Sequence, residues 1–240
     1  MTPASSTSTS RPPRPSRRGR EAEAWRRKVL WVARTLGSTY GVPRLGNPRA
    51  PLDDLIYVLL SQRTTLERAR TAYLHIRRQY YPWQRLLEAK ETELQEGLRP
   101  IGLWRKRARD LLGIARALTR RFGRVTLTPI RRWPASDTFT LLVSLPGVGE
   151  KTARCVMLYT LGHETSPVDV HAYRALTRLG LLGNRTSVDE AHRLLDAKLP
   201  AGVAYRLHVA LVAHGRTTCV ARPRCGTCVL RTRCASAPQA

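Results

Sequence analysis

The sequence predicts an all-α protein. From Ala22 onward, apolar residues recur at three- and four-residue spacing, which is the period of a helix with one buried face. Glycine and proline residues separate these segments, and no stretch alternates as a half-buried strand does. With 240 residues, of which 42% are hydrophobic, the chain is long enough to bury one large core or two smaller interlocked ones.

The helical pattern divides the chain into an N-terminal helical region and ten later segments. Residues 52–60 are the most apolar segment and follow Pro51, which suits the first position of a helix because proline lacks the N–H that would be unpaired there. We therefore expect a central buried helix at this point. Residues 123–135, with two prolines, are the least regular interior stretch. The other predicted helices cover residues 66–79, 83–88, 91–97, 104–121, 137–144, 151–161, 170–179, 187–198 and 201–214.

The balance of charge indicates a polyanionic partner. Forty-two Lys and Arg against 17 Asp and Glu give a net charge of +25, which is self-repulsive unless a polyanion is bound. An anionic membrane surface is the alternative, but the basic excess is spread over the whole chain rather than gathered on one amphipathic helix. No apolar run approaches the roughly 18 residues of a membrane span. We expect nucleic acid to be the partner, with no membrane association.

The first 20 residues combine Ser, Thr and Pro with five Arg and contain no acid, so they cannot bury apolar surface. They are predicted to be a disordered basic arm that lies on DNA. The same composition suits an organelle transit peptide, although the amphipathic apolar positions of such a peptide are missing. We expect a soluble cytoplasmic protein associated with the nucleoid.

A glycine-rich turn joins the predicted helices 137–144 and 151–161. Gly147 and Gly149 permit positive φ or close backbone approach, and the free N–H groups at the start of the second helix point outward. Such a turn can hold a phosphate through its backbone, although an ordinary pair of antiparallel helices also favours glycine here. The residues of the turn are Leu145, Pro146, Gly147, Val148 and Gly149.

The full string Leu-Pro-Gly-Val-Gly-Glu-Lys-Thr-Ala at 145–153 resembles the helix–hairpin–helix signature of the endonuclease III family of DNA glycosylases. The resemblance makes Lys151 the catalytic lysine. It also makes Asp169, which stands 18 residues later in a Val-Asp-x-His setting, the essential aspartate. From the residues alone, Lys151 is equally a phosphate-binding lysine and Asp169 the N-cap of the next helix.

The same resemblance implies the residues that contact DNA. Leu103 would be the wedge leucine and His171 a DNA-contacting histidine, while the hairpin residues Leu145, Gly147, Val148 and Gly149 would bind the backbone. The polar residue that enters the space of the extruded base falls at Gln62 or Arg63. Aligning on 59–61 puts Arg63 where the family has glutamine, and Leu66 replaces a family acid.

Four of the five cysteines, Cys219, Cys225, Cys228 and Cys234, fall within 16 residues, which is typical of a metal site rather than of disulfides. Four thiolates suit either zinc or an iron–sulfur cluster. The resemblance implies a [4Fe-4S] cluster preceded by a His-Gly-Arg segment, which stands here at 214–216, but the first cysteine interval is one residue shorter than in the family. Cys155 is predicted to be a buried core thiol.

The family has two helical domains with DNA bound in the cleft between them. Transferred here, the boundaries give a six-helix domain at 45–163 and a cluster domain made of 21–44 and 164–240. The implied activity is that of a monomeric, bifunctional N-glycosylase and abasic-site lyase, which removes oxidised pyrimidines such as thymine glycol from duplex DNA. The alternatives are an adenine- or 8-oxoguanine-type glycosylase, or a catalytically silent DNA-binding or redox-sensing protein.

Overall fold

Helices make up the regular structure of the two ranges that the computed structural model describes, residues 16–43 and 45–238. No strand occurs in these ranges. The α-helices are α1 (Arg17–Tyr40), α2 (Pro51–Leu60), α3 (Leu66–Tyr80), α4 (Glu91–Leu98), α5 (Trp104–Phe122), α6 (Ala135–Ser144), α7 (Glu150–Thr160), α8 (Val170–Arg178), α9 (Val188–Lys198) and α10 (Ala204–Thr217). Short 3-10 helices cover Trp83–Leu87, Thr128–Arg132, Cys225–Thr227 and Arg231–Arg233.

The first hydrophobic cluster is formed by α2 to α7 around α2, all of whose residues are buried. The helix tolerates a buried acid because Asp53 accepts three hydrogen bonds. Its donors are Tyr73 Oη at 2.7 Å, Arg77 Nε at 3.1 Å and Trp83 Nε1 at 3.1 Å. This polar cluster joins α2, α3 and the following 3-10 helix. It thereby fixes the position of α2, which forms one wall of the candidate active site described below.

The second hydrophobic cluster joins residues from the two ends of the chain. Val29, Val32 and Leu36 on one face of α1 pack with apolar residues of α8, α9 and α10. The helix pairs α1 with α10 and α8 with α10 make the main contacts. The two clusters meet where α7 packs against α2 on one side and α10 on the other. The domain boundaries themselves stay predictions.

Two sequence predictions need correction. The predicted disordered arm is helical at its last four residues, because α1 begins at Arg17, where Ser16 Oγ accepts a hydrogen bond from the Gly19 N–H and Arg17 pairs with Glu21 at 3.0 Å. The rest of the arm, 1–15, lies outside the described residues. Residues 83–88 were predicted as a helix in the same series as the others, but they form a 3-10 helix.

None of the described helices is both long enough and apolar enough to cross a membrane.

Candidate active site and cysteine cavity

The hairpin between α6 and α7 contains a glycine in the left-handed backbone conformation. Gly147 has φ +74°, and a Cβ at this position would lie 2.3 Å from Asp110 Oδ2. Both the conformation and the approach of α5 therefore require glycine. Gly149 differs, since its φ is −90° and its Cβ position is open, and it serves as the N-cap residue of α7.

The side chains of Leu145 and Val148 point into the first cluster rather than outward. They are only 4% and 6% exposed. Predicted as DNA-contacting residues, they are able to meet a phosphate only through their backbone. The Val148 N–H already bonds to the Leu145 carbonyl at 3.1 Å, which closes the turn. The hairpin's outward groups are thus the backbone around Gly149 and the first N–H groups of α7.

Lys151 and Asp169 lie on the wall of one pocket. Lys151 is the second residue of α7 and half-buried. Asp169 caps α8, and its Oδ1 accepts hydrogen bonds from the N–H groups of His171 at 3.0 Å and Ala172 at 2.7 Å. The cap fixes the aspartate in place without consuming Oδ2. The pocket is lined by Leu45, Asn47, Tyr57, Val58, Ser61, Leu66, Lys151, Cys155, Tyr159, Asp169, His208, Val212 and Arg216.

A buried histidine organises one side of this pocket. His208 Nδ1 lies 2.9 Å from the Pro167 carbonyl, so the proton sits on Nδ1 and Tyr159 Oη donates to Nε2 at 2.6 Å. Burial lowers the pKa of His208 to about 4, which keeps the ring neutral near pH 7. Burial also raises the pKa of Cys155, which is therefore the protonated core thiol that the sequence predicts.

Asp54 is a second buried acid on α2, and its environment is unlike that of Asp53. Its side chain is fully buried, Oδ1 accepts a hydrogen bond from Asn47 Nδ2 at 2.5 Å, and Oδ2 has no partner among the described residues. Burial raises the pKa of Asp54 to about 7, against the opposing effects of the Asn47 bond and the Lys151 charge. The sequence analysis missed this residue, although an acid inside the most apolar segment was a usable signal.

Gln62 belongs to a polar network rather than to the surface. Its Nε2 donates to Thr152 Oγ1 at 3.0 Å, and its Oε1 accepts from Arg107 Nη2 at 2.5 Å. Arg107 also pairs with Asp110 at 2.9 Å, and Lys106 binds the same carboxylate. Gln62 is thus held between α5 and the first turn of α7, and its contact with DNA stays a prediction.

Arg63 and Leu103 are the exposed residues at this edge of the site. They are the two non-glycine residues with positive φ in the described chain, at 55° and 60°. Leu103 is 43% exposed at the start of α5, so it is not a core residue. The two loops touch, because a Cβ on Gly102 would lie 2.9 Å from the Arg63 carbonyl oxygen. The fold therefore presents Arg63 and Leu103 side by side.

His171 lies at the first turn of α8 and packs directly on α10. A Cβ on Gly215 would lie 2.6 Å from His171 Cβ. The His171 ring contacts Arg174 through Nδ1 at 3.2 Å. Its position next to Asp169 is set by this contact with glycine.

The four clustered cysteines line a separate cavity, together with apolar side chains such as Leu179 and Leu230. All four are free thiols and half-buried. Burial raises the pKa of Cys228, and the other three thiols act in the same direction. Four sulfur donors without a carboxylate in the cavity lining fit a soft metal or an iron–sulfur cluster.

Two arginines of α8 hold the short loop between Cys219 and Cys225. Arg174 Nε donates to the Cys219 carbonyl at 2.7 Å. Arg178 donates to the Val220 carbonyl at 2.7 Å and to the Ala221 carbonyl at 2.8 Å. These contacts were not predicted, because they link residues about 40 positions apart in the sequence.

Comparison with known proteins gives consistent matches. The sequence pattern of the family described as HhH-GPD superfamily base excision DNA repair protein matches residues 56–201. Endonuclease III of Thermotoga maritima is 31% identical over 193 residues, which are 80% of this chain and 86% of that protein. Endonuclease III of Escherichia coli K12 is 29% identical over 193 residues, which are 78% and 85% of the two chains.

A putative DNA glycosylase of Arabidopsis thaliana is 29% identical over 165 residues, and the matched region spans only 56% of the plant protein. Among solved structures, a trapped endonuclease III–DNA covalent intermediate has a TM-score of 0.78 at 25% identity and covers 88% of this chain and 96% of that one. A thermostable thymine-DNA glycosylase, at 21% identity, has a TM-score of 0.73 over 92% of this chain and shares the fold.

Proposed function

Because the chain belongs to the HhH-GPD superfamily of base excision DNA repair proteins and is a DNA glycosylase of the endonuclease III type, we propose that it is bifunctional. It excises oxidised pyrimidines such as thymine glycol from duplex DNA and then cleaves the abasic site. The observation that carries the proposal is the pocket shared by Lys151 and Asp169.

Lys151 is the nucleophile in this proposal. It is the second residue of α7, and its half-buried side chain lines the pocket. The amine forms a bond to C1′ of the sugar while the glycosidic bond breaks. The base departs with the electron pair of the glycosidic bond and takes up the proton that the amine loses. Opening of the sugar ring, with a proton added to O4′, gives an iminium ion.

Asp169 assists the first step. Its carboxylate, held by the two N–H groups of α8, faces the pocket in which positive charge develops on the sugar as the base leaves. In the second step the iminium makes the C2′ proton acidic. Loss of that proton expels the 3′ phosphate by β-elimination, and water then releases the sugar fragment from Lys151.

A base reaches this pocket only after leaving the stack. Arg63 and Leu103, exposed on adjoining loops, are the residues proposed to fill the vacated space. Gln62 is not proposed for this role, since its amide is engaged by Thr152 and Arg107. The backbone at Gly149 and the start of α7 bind a neighbouring phosphate.

The cysteine cavity is proposed to hold a [4Fe-4S] cluster through Cys219, Cys225, Cys228 and Cys234. Four free thiols on one cavity support this assignment. When bound, the cluster would join the C-terminal loop to α8 and α10, and no step of the reaction depends on it.

Borohydride trapping tests the proposed reaction. Borohydride reduces the iminium to a stable amine, so wild-type protein on a thymine-glycol duplex is expected to give a covalent protein–DNA adduct. Lys151→Gln should abolish the adduct, and Asp169→Asn should slow its formation by about a hundredfold or more.

Lys90→Gln is the matched control, because Lys90 is an exposed lysine paired with Glu93 far from the pocket lining. It should trap as wild type does. No adduct with wild type, on either thymine-glycol or abasic duplex, would overturn the lyase proposal.

A further inference from the structure

A second cluster of ligand-type side chains lies beside the catalytic helix, outside the pocket described above. Glu150 is the first residue of α7 and directly precedes Lys151. Asp189 and His192 stand three residues apart in the first turns of α9, and therefore on one face. One ligand atom from each of the three residues lies within 4.8 Å of the others.

His192 is the unusual member of this cluster. It is 1% exposed, and although the Val168 backbone and the Glu150 carboxylate lie near the ring, neither ring nitrogen makes a hydrogen bond of good geometry with a described residue. Leaving such a group unpaired in the interior is unfavourable. Its Nδ1 points at the cluster, 3.6 Å from Glu150 Oε2, which is too long for a hydrogen bond. A ligand between the two atoms would remove this deficit.

The separation of the atoms matches a shared metal ion. Zinc binds imidazole nitrogen and carboxylate oxygen at about 2.0–2.2 Å, so two ligands of one ion lie roughly 3–4 Å apart. Glu150 Oε2 and His192 Nδ1 fall in that interval.

One guanidinium borders the cluster. Arg154 lies 3.7 Å from Glu150 Oε2, but its closest partner is the carboxylate of Asp196. The charge of Arg154 is therefore shared between these two carboxylates. Asp189 is exposed and Glu150 is half-exposed, so an ion has a path from solvent and water has room to complete its coordination.

We propose that Glu150, Asp189 and His192 form a binding site for one divalent transition-metal ion of the zinc type. The ion would join the first residue of α7 to α9. One turn after His192 and on the same face of α9, Asp196 supports the segment before Asp169, because its Oδ1 accepts a hydrogen bond from the Ser166 N–H at 2.7 Å. The proposed metal site therefore lies between the residues that position Lys151 and those that position Asp169. The existence of this metal site does not depend on the proposed reaction.

The test is binding of Co²⁺ and Zn²⁺ to the full-length protein with its cysteine site loaded. Wild type is expected to bind one ion with a Co²⁺ spectrum free of thiolate charge-transfer bands, and to show a higher Tm with Zn²⁺. Asp189→Asn, at an exposed position that leaves the core intact, and His192→Gln should each weaken binding by about tenfold or more and lose the Tm increase.

Glu190→Gln is the control, since Glu190 is the adjacent acid but bonds to Ser187 in a capping box instead of facing the cluster. It should bind the ion as wild type does. The proposal is overturned if wild type binds no ion under these conditions, or if Asp189→Asn and His192→Gln bind as tightly as Glu190→Gln.

Discussion

Gly147 and Gly149 stand two residues apart in the hairpin, yet the fold requires glycine at only one of them. Gly147→Ala would place a methyl group against the Asp110 carboxylate at a φ that costs an L-residue about 1–2 kcal/mol by itself. We expect it to lower the free energy of unfolding by about 2 kcal/mol or more, measured by urea denaturation. Gly149→Ala, at φ −90° with open space around it, should change stability little. Equal losses from both would contradict this view of the turn.

Titration of Asp54 lowers the free energy of unfolding as the pH rises, whereas titration of most acidic residues raises it. Its pKa is about 7 in the folded protein against 3.8 for an ordinary Asp, so between about pH 4 and 7 the folded state binds the extra proton. The free energy of unfolding therefore falls as pH rises through this window. Asp54→Asn should be more stable than wild type above pH 7, by up to about 4 kcal/mol, and the difference should shrink towards pH 4.

Asp53→Asn is the control for this experiment. Asp53 accepts hydrogen bonds from Tyr73, Arg77 and Trp83, so loss of its charge should destabilise the protein. Thermal unfolding of the two variants and wild type across pH 4 to 8 gives the comparison. A stability difference for Asp54→Asn that does not vary with pH would show that this carboxyl group does not titrate as described.

At the scale of whole elements, the periodic pattern predicted most helices to within a few residues, and α10 shows where it fails. The predicted helix 201–214 lies three residues too early at both ends. The chain turns at Gly202 with φ +76° before α10 starts, and Gly215 continues the helix instead of ending it. Position 215 requires glycine because His171 packs against it. The two residues are 44 positions apart, so no local sequence pattern could predict this contact.

The residues of the candidate site also fall into two groups, those that a local sequence motif identifies and those that only the packing of the fold brings together. Lys151, Asp169 and the cysteines were predictable because each belongs to a local motif with fixed spacing. The Asn47–Asp54 hydrogen bond and the polar network around Gln62 could not be predicted, because they depend on which faces of α2, α5 and α7 meet. The burial of Leu145 and Val148 likewise follows from packing, whereas their motif was compatible with either orientation.

Arginines of α8 hold the short loop between Cys219 and Cys225 in place. This arrangement predicts how fast the proposed cluster would lose iron when those hydrogen bonds are removed. Arg178→Ala removes the donors to the Val220 and Ala221 carbonyls and should free the loop that follows Cys219. We expect bound iron to be lost to a chelator several-fold faster, followed by the decay of visible absorbance. Arg222→Ala, an exposed arginine on the same loop, should leave the rate unchanged, and equal rates for all three proteins would refute the role given to α8.

The charge of the whole molecule predicts how it searches DNA. If six to ten phosphates are neutralised by the arginine-rich surface, affinity for undamaged duplex should fall by about 10³–10⁵ between 50 and 200 mM salt. Fluorescence anisotropy over a salt series measures the slope. A nearly flat salt dependence would contradict DNA as the polyanion that the +25 charge is suited to bind.

The pairing of α1 with α10 has a consequence for biosynthesis. The apolar face of α1 packs on segments that follow residue 167, so α1 leaves the ribosome long before its partners are synthesised. The cluster formed by α2 to α7 has no such requirement and can assemble while the remainder is being translated. The apolar face of α1 therefore stays without its partners while residues 41 to 167 are translated, and the four-cysteine cavity cannot form until Cys234 has been made.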